Sequence, residues 1–435
     1  MSLGTVSLIG SPSAGKSTLF NRFIGERKSI VEPTPGVTRD RIYGKCTWLT
    51  KTFTLIDTGG IQAKEVPFQD LIRAQVDLAL AESDLFLFVV DGKRGLSGDD
   101  RFIAKMLYGQ KKPILLVVNK IDNIEEAANA SEFYSLGFGD PYIVSGAHGI
   151  GIGDLLDKII HILPEKEIPE YGDAITFSLI GRPNVGKSSL SNRLLGQERT
   201  LVSPISGTTR DAIDTPFSKD GHNFVLIDTA GLLKRGKIYE AIDKYAAMRA
   251  LASIERSQIV LFLLDASSPI LEQDKHVVGY AVDEHKPIII IVNKWDLAKE
   301  KGLSKEEFTK NIREQFKFLD YAPILFVSAS SGAGIDAILP KVLAVHEASL
   351  RRIPTPLLNE IIRDAQAMNP SPNFNHGRLK IVFANQVSVN PPTFVFFCNN
   401  PETAHFSYTR YLENRLRASF DFDGTPIHII YRIRK

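Results

Sequence analysis

Apolar runs recur along the first part of the chain. They are "TVSLIG" (5–10), "TFTLIDT" (52–58), "LFLFVVD" (85–91), "PILLVVNK" (113–120) and "YIVSG" (142–146). Short, almost continuously apolar and rich in β-branched residues, they predict buried strands. Between them lie helix-period stretches such as "FQDLIRAQVDLALAES" (68–83). Such an alternation predicts a parallel sheet covered by helices on both faces.

The pattern then starts again. "AITFSLIG" (174–181), "FVLIDT" (224–229), "IVLFLLD" (259–265), "PIIIIVNK" (287–294) and "PILFVSA" (323–329) repeat the first series in order. Lys16 and Lys187, Thr38 and Thr209, and Asp57 and Asp228 are each 171 positions apart. The spacing widens to 174 for Asn119 and Asn293 and to 183 for Ser145 and Ser328, as loop insertions would make it. The chain therefore carries a duplicated domain, expected over 1–166 and 175–350. The polar segment around 167–174, within "PEKEIPEYGD", reads as the linker.

Beyond 350 the order changes. A helix over 355–369, strands over 378–387 and 393–399, a helix over 403–420 and a strand over 426–434 predict a small α+β domain covering 351–435. Charge sets this tail apart. It holds eleven Lys/Arg against six Asp/Glu, 11 − 6 = +5, whereas the whole chain sums to +2. A basic tail on a slightly acidic body points to a polyanionic partner or to a solvated face. No apolar run is long enough to span a membrane. "MSLGTVSLIG" has neither the basic start nor the apolar core of a signal peptide. Cys46 and Cys398 have no metal-ligand spacing and read as thiols in a reducing cytoplasm.

The chemistry sits at the strand ends. Gly10, Ser11, Pro12, Ser13, Ala14, Gly15, Lys16, Ser17 and Thr18 fit G-x-x-x-x-G-K-[ST] between a strand and a helix. Gly181, Arg182, Pro183, Asn184, Val185, Gly186, Lys187, Ser188 and Ser189 fit it again. The glycines let backbone N–H groups close around phosphates, the lysines reach the β/γ-phosphates, and Ser17 and Ser188 offer hydroxyls to Mg²⁺. Asp57, Thr58, Gly59, Gly60 and Ile61 follow one strand, and Asp228, Thr229, Ala230, Gly231 and Leu232 another. Their aspartates would hold Mg²⁺ and their second glycines would offer an N–H to the γ-phosphate. Thr38 and Thr209 lie in "GVTRD" and "GTTRD", loops that could close over the metal when a γ-phosphate is present.

Asn119, Lys120 and Asp122, and Asn293, Lys294 and Asp296, spell N-K-x-D after an apolar strand. A carboxylate there accepts two hydrogen bonds from guanine, from N1–H and the exocyclic amine, which adenine cannot supply. Ser145, Gly146 and Ala147, and Ser328, Ala329 and Ser330, would support the base from the other side. Both domains are therefore expected to bind GTP or GDP with Mg²⁺. The glutamine that orients the attacking water in Ras-like proteins is absent, because Ile61 and Leu232 stand there. Arg39 and Arg210 are nearby cations that could serve hydrolysis, structure or RNA contact.

These motifs in this order resemble the EngA (Der) family of bacterial GTPases. "GRPNVGKS", "PGVTRDR", "DTGG", "DTAGL", "NKID" and "NKWD", with "PPTFVFF", "RYLENRLR" and "GTPIHI" in the tail, carry the likeness over the whole chain. It implies two tandem Ras-like P-loop domains and a KH-like third domain. It also implies a GTP-hydrolysing factor acting late in assembly of the large (50S) ribosomal subunit, on its rRNA, as a cytoplasmic monomer without a membrane. Lys16, Thr38, Lys187 and Thr209 then serve hydrolysis. The resemblance further implies that Asn184 helps bind K⁺. Ser13, at that place in the first copy, has no amide carbonyl to do so, and a tolerated substitution is the alternative. A KH domain clamps RNA with a G-x-x-G loop, but Gly377 and Gly424 are the tail's only glycines. RNA contact would fall to Arg410, Arg415 and Arg417, with Arg410 and Arg417 on one helix face, or that face is simply solvated. "KRGK" (234–237) is a second basic patch. The competing reading is an RNA-binding switch in which one domain, the first, binds GTP and scarcely hydrolyses it. Action on tRNA or at a membrane has no motif behind it.

Overall fold

The computed structural model describes residues 2–25, 43–57, 83–165, 171–196, 214–227, 243–300 and 302–433. Two compact units emerge, one reaching to Ile168 and the other running from Pro169 to Lys435. The second repeat and the basic tail thus share a unit.

The first unit holds strands β1 (Ser2–Ile9), β2 (Tyr43–Trp48), β3 (Lys51–Asp57), β4 (Leu85–Asp91), β5 (Ile114–Asn119) and β6 (Tyr142–Ile143) in the order β2-β3-β1-β4-β5-β6. All neighbours are parallel except β2 and β3. The expectation of a purely parallel sheet is corrected here. "YGKCTW" is a partly polar edge strand without an apolar run, so nothing in its pattern announced it. Helices α1 (Lys16–Gly25), α2 (Gly98–Leu107) and α3 (Ile152–Ile162) cover the sheet.

Strand alternation divides the core. Leu85, Leu87 and Val89 pack with Leu19, Phe20 and Phe23 of α1 and Leu155 and Ile159 of α3. Phe86, Phe88 and Val90, pointing the other way, pack with Ile103, Ala104 and Leu107 of α2. β4 is buried at every position, which is why it reads as a continuous apolar run. The expected helix over 68–83 lies outside the described residues apart from Ser83.

The second unit repeats the sheet with β7 (Ile175–Ile180), β8 (Thr215–Lys219), β9 (His222–Leu226), β10 (Ile259–Asp265), β11 (Ile288–Asn293) and β12 (Ile324–Phe326), in the order β12-β11-β10-β7-β9-β8. Here too the edge pair, β8 and β9, is antiparallel. Helices α4 (Lys187–Gly196), α5 (Asp243–Arg256), α6 (Glu272–Asp283), α7 (Trp295–Glu300), α8 (Lys305–Gln315) and α9 (Ile338–Ser349) belong to this half.

The tail has the expected order. Helix α10 (Thr355–Met368) precedes a short hairpin, β13 (Asn373–Phe374) and β14 (Gly377–Arg378). Then come β15 (Ile381–Ser388), β16 (Thr393–Cys398), helix α11 (Phe406–Ser419) and β17 (His428–Ile433). β16 pairs antiparallel with β15 and parallel with β17. The tail docks on the second repeat through Gly424, at a φ of 67°. Its N–H donates to the Tyr321 carbonyl at 2.9 Å and its carbonyl accepts from Ile288 N at 2.8 Å. A Cβ there would collide with Val345, so glycine is required twice over. Tail glycine thus serves docking, whereas a KH clamp would place it at RNA.

Candidate nucleotide sites at the strand ends

Each P-loop links the end of a central strand to a helix, where parallel sheets gather ligands. Gly15 has a φ of 89° and Gly186 a φ of 99°. A Cβ at either would fall on the amide nitrogen of Asn119 or Asn293. Ser13 and Asn184 share another left-handed position, at 69° and 64°, and both are exposed.

The lysines turn back into their own loops. Lys16 Nζ donates to the carbonyls of Gly10 and Ser11, both at 2.8 Å. Lys187 Nζ donates to those of Gly181 at 2.7 Å and Arg182 at 2.6 Å. Burial lowers each ammonium to about 8, and in the first copy Asp57 and Asp100 oppose that shift. The Ser17 hydroxyl donates to Asp57 Oδ2 at 2.6 Å, so a hydroxyl and a carboxylate stand side by side below the loop. In the second copy Ser188 is described, but Asp228 is not. Thr38, Thr58, Gly59, Gly60, Ile61, Thr209, Thr229, Ala230, Gly231 and Leu232 also lie outside the described residues, as do Arg39, Arg210 and 234–237.

The N-K-x-D asparagines are braces. Asn119 Nδ2 donates to the Ala14 carbonyl at 2.9 Å, and its Oδ1 accepts from Gly146 N at 3.0 Å. Asn293 does the same between the Val185 carbonyl, at 2.9 Å, and Ala329 N, at 3.0 Å. Both asparagines are buried. Each fastens the phosphate loop to the loop expected to support the base.

The lysines of the same motif meet carboxylates missing from the sequence reading. Lys120 Nζ lies 2.6 Å from Asp91 Oδ2, and Lys294 Nζ lies 2.6 Å from Asp265 Oδ2. Burial alone would raise Asp91, but Lys120 and the N–H groups of Arg94 and Lys93 hold its carboxyl below the usual range. The signal was present, since Asp91 and Asp265 end equivalent strands 174 apart, in register with Asn119 and Asn293. Arg22 and Arg193 were missed as well. Arg22 Nε donates to the Gly146 carbonyl at 3.0 Å, and Arg193 Nη2 to that of Ser330 at 2.8 Å.

The two specificity carboxylates differ. Asp122 accepts from Ser145 Oγ at 2.6 Å and pairs with Lys93 Nζ at 2.5 Å. Lys93 and Ser145 hold its carboxyl below the usual range. Asp296 Oδ2 accepts from Ser330 Oγ at 3.0 Å, and its buried Oδ1 has no hydrogen-bond partner among the described residues. Arg182 is drawn away from the phosphate region, its guanidinium reaching Asp274.

In the tail, Arg410 and Arg417 do lie on one helix, α11, but only Arg410 is left for a partner. Arg410 is exposed. Arg417 instead pairs with Glu413 at 2.9 Å, donates to the Phe422 carbonyl at 3.0 Å, and covers the Tyr321 ring with 4.8 Å to its centroid. A long side chain seven residues on can bend to its own helix end, which spacing does not reveal. Arg415 is half-buried. No helix among the described residues is long and apolar enough to cross a membrane.

Comparison with known proteins agrees with this geometry. A family described as a 50S ribosome-binding GTPase matches residues 5–120 and 176–294. The KH-domain-like family of EngA bacterial GTPase enzymes, C-terminal, matches 352–432. The GTPase Der of Macrococcus caseolyticus (strain JCSC5402) is 52% identical over 435 residues, 100% of both chains. That of Bacillus cereus (strain ATCC 10987 / NRS 248) is 53% identical over 430 residues, 99% of each. Among solved structures, Era in complex with MgGDPNP and nucleotides 1506–1542 of 16S ribosomal RNA covers 58% of this chain and 88% of its own. Its identity is 23% and its TM-score 0.31, too slight a likeness to argue from.

Proposed function

The chain belongs to the EngA (Der) family of GTPases and hydrolyses GTP, and we propose that it does so in maturation of the large (50S) ribosomal subunit. The observation that carries the reading is that both nucleotide-binding halves match the family described as ribosome-binding, within one chain that ends in a basic tail. The proposed partner is the subunit and its rRNA, met by a monomer in the cytoplasm.

In this reading Lys16 and Lys187 exchange loop carbonyls for the β/γ-phosphates. Ser17 with Asp57, joined by Thr38, would hold Mg²⁺, and the hydroxyl–carboxylate pair fits a hard cation. By the duplication, Ser188, Asp228 and Thr209 would do the same in the second half. Mg²⁺ supplies positive charge against the phosphates. Asp122 and Asp296 select guanine. Asn184 would hold K⁺ in the second domain, and its exposed place on the loop is compatible with that; Ser13 lacks the group. The γ-phosphate state then shifts the arrangement of domains through differential contacts.

Sedimentation with ribosomal particles tests this, in GDP and in a non-hydrolysable GTP analogue, with Lys16→Ala and Lys187→Ala beside the wild type. Analogue-dependent migration with large-subunit particles, lost in a lysine variant, is expected. No association under any nucleotide, even at low salt, would sink the ribosomal role. One observation favours a weaker first domain, where Lys93 already occupies Asp122. Phosphate release from the two lysine variants decides this, since disabling a silent domain leaves turnover unchanged.

A further inference from the structure

Duplication supplies an internal control for surface charge. Residues 93–112, which link β4 to β5 through α2, correspond without a gap to residues 267–286, which link β10 to β11 through α6. The first segment holds six Lys/Arg against two Asp, 6 − 2 = +4. The second holds two Lys against four Asp/Glu, 2 − 4 = −2. Both build the same part of the same fold, so folding does not demand the basic charge. Solubility does not demand it either, since acidic residues solvate a helix as well. Residues 1–350 sum to 2 − 5 = −3, so this basic segment stands on an otherwise acidic body.

Helix α2 buries Asp100, Ile103, Ala104 and Leu107. That spacing leaves Arg101 and Lys105, one turn apart, on the outer face, and both are exposed. Arg94 before the helix and Lys111 after it are exposed as well. Of the two acids, Asp100 is buried and Asp99 half-buried, so the outward charge is cationic. Tyr108 closes the row and is 50% exposed. Its hydroxyl donates to the Leu136 carbonyl at 2.5 Å, and its ring stacks on Phe138 with 5.2 Å between centroids.

The second copy uses the same positions differently. Lys275, equivalent to Arg101, pairs with Glu272 at 2.8 Å. Gly279 and Val282 stand where the first copy has Lys105 and Tyr108. His285, equivalent to Lys111, stacks on His428, so the tail covers the segment just after α6. A tail of net charge +5 would be repelled by the cations of the first copy. Those cations call for an anionic occupant. A rigid, half-exposed aromatic beside cations is the combination that RNA strands bind.

We propose that the outer face of α2, through Arg101 and Lys105 with Arg94 and Lys111 beside them, docks on the phosphate backbone of RNA. The inference rests on the ribosomal reading and names the surface by which the first domain meets rRNA. Lysine and arginine on phosphates carry affinity and orientation but no sequence information. The face therefore strengthens and aligns binding, and leaves the choice of site to the rest of the chain.

The test uses the full chain, a transcript of large-subunit rRNA and purified large-subunit particles, with affinity read across a series of KCl concentrations. Arg101→Gln with Lys105→Gln should weaken transcript binding about thirtyfold at about 0.1 M KCl. The plot of log affinity against log salt should become shallower by about 1.5. Lys275→Gln, the counterpart in the second copy, should change neither. GTP hydrolysis without RNA should match wild type in every variant, which shows that the domains remain folded. Should the α2 variant lose hydrolysis, Arg94→Gln with Lys111→Gln, outside the helix, decides by the same slope. A wild type that binds, beside a variant that keeps the full slope, would overturn the docking face and leave the ribosomal role standing. A wild type that binds neither transcript nor particles would overturn both. Loss confined to the particles, with transcript binding intact, would assign the face to a ribosomal protein and overturn the RNA contact.

Discussion

Asn119 accepts the backbone N–H of Gly146 at 3.0 Å while its amide nitrogen holds the Ala14 carbonyl, so one side chain spans the phosphate loop and the base loop. Asn293 repeats the relationship. Since the amide is engaged with backbone, the residue shapes the pocket and leaves base selection to the aspartate three places on.

The first prediction follows. Asn119→Ala or Asn293→Ala leaves buried backbone groups unpaired, at about 1–3 kcal/mol each. GDP affinity of that domain should fall by about tenfold or more, with guanine still preferred over adenine and xanthine. Fluorescent-nucleotide titration with competing bases checks it. A relaxed base preference would show that the asparagine reads the base after all.

Asp296→Asn should act oppositely. The substitution gives the position a donor amide, which mismatches the donor edge of guanine but matches the carbonyl that xanthine carries in place of the amine. GTP binding to the second domain should weaken and xanthosine triphosphate binding should improve, measured in a Lys16→Ala background. Unchanged preference would place the base elsewhere.

Much of this was legible in sequence because duplication supplies an internal control. β4 and β10 are buried throughout and announce themselves as apolar runs. The edge strands β2 and β8 are partly polar and have antiparallel partners, so neither run length nor the βα rhythm reveals them. Asp91 and Asp265 were visible as letters, but their pairing with the motif lysines depends on strand register. The positions of Arg182 and Arg417 show the same limit. A flexible cation takes whichever carboxylate or ring the fold brings within reach, and spacing alone does not say which.

The P-loop lysines predict a pH profile for nucleotide binding. Burial lowers both Lys16 and Lys187 to about 8, so the free lysines lose their proton above that pH. Nucleotide phosphates favour the charged form and raise the pKa on binding. Affinity should therefore be flat below about pH 8 and fall above it, by up to about tenfold per pH unit at each site, with one proton taken up. Calorimetry at pH 7 and pH 9, in buffers of different ionisation enthalpy, reads the proton directly. No uptake at pH 9 would mean that the lysines stay charged without nucleotide.

Acid should loosen the docking of the tail on the second repeat. The His285 and His428 rings stack with 4.6 Å between centroids. Burial lowers His285, and burial followed by the neighbouring ring lowers His428. Folded values lie below the ordinary value of about 6.5, so stability is complete above that pH and drains away as pH falls through it. Between pH 7.5 and pH 5.5 most carboxylates remain ionised, which leaves histidine as the main titrating group. The unfolding transition of the second unit should drop by about 2–4 °C over that window. Replacing both rings, as His285→Phe with His428→Phe, keeps an aromatic stack and removes the charge. The double variant should lose less over the same window, retaining the share due to His346, which burial also lowers. An equal drop in wild type and double variant would assign the acid sensitivity to groups outside this junction.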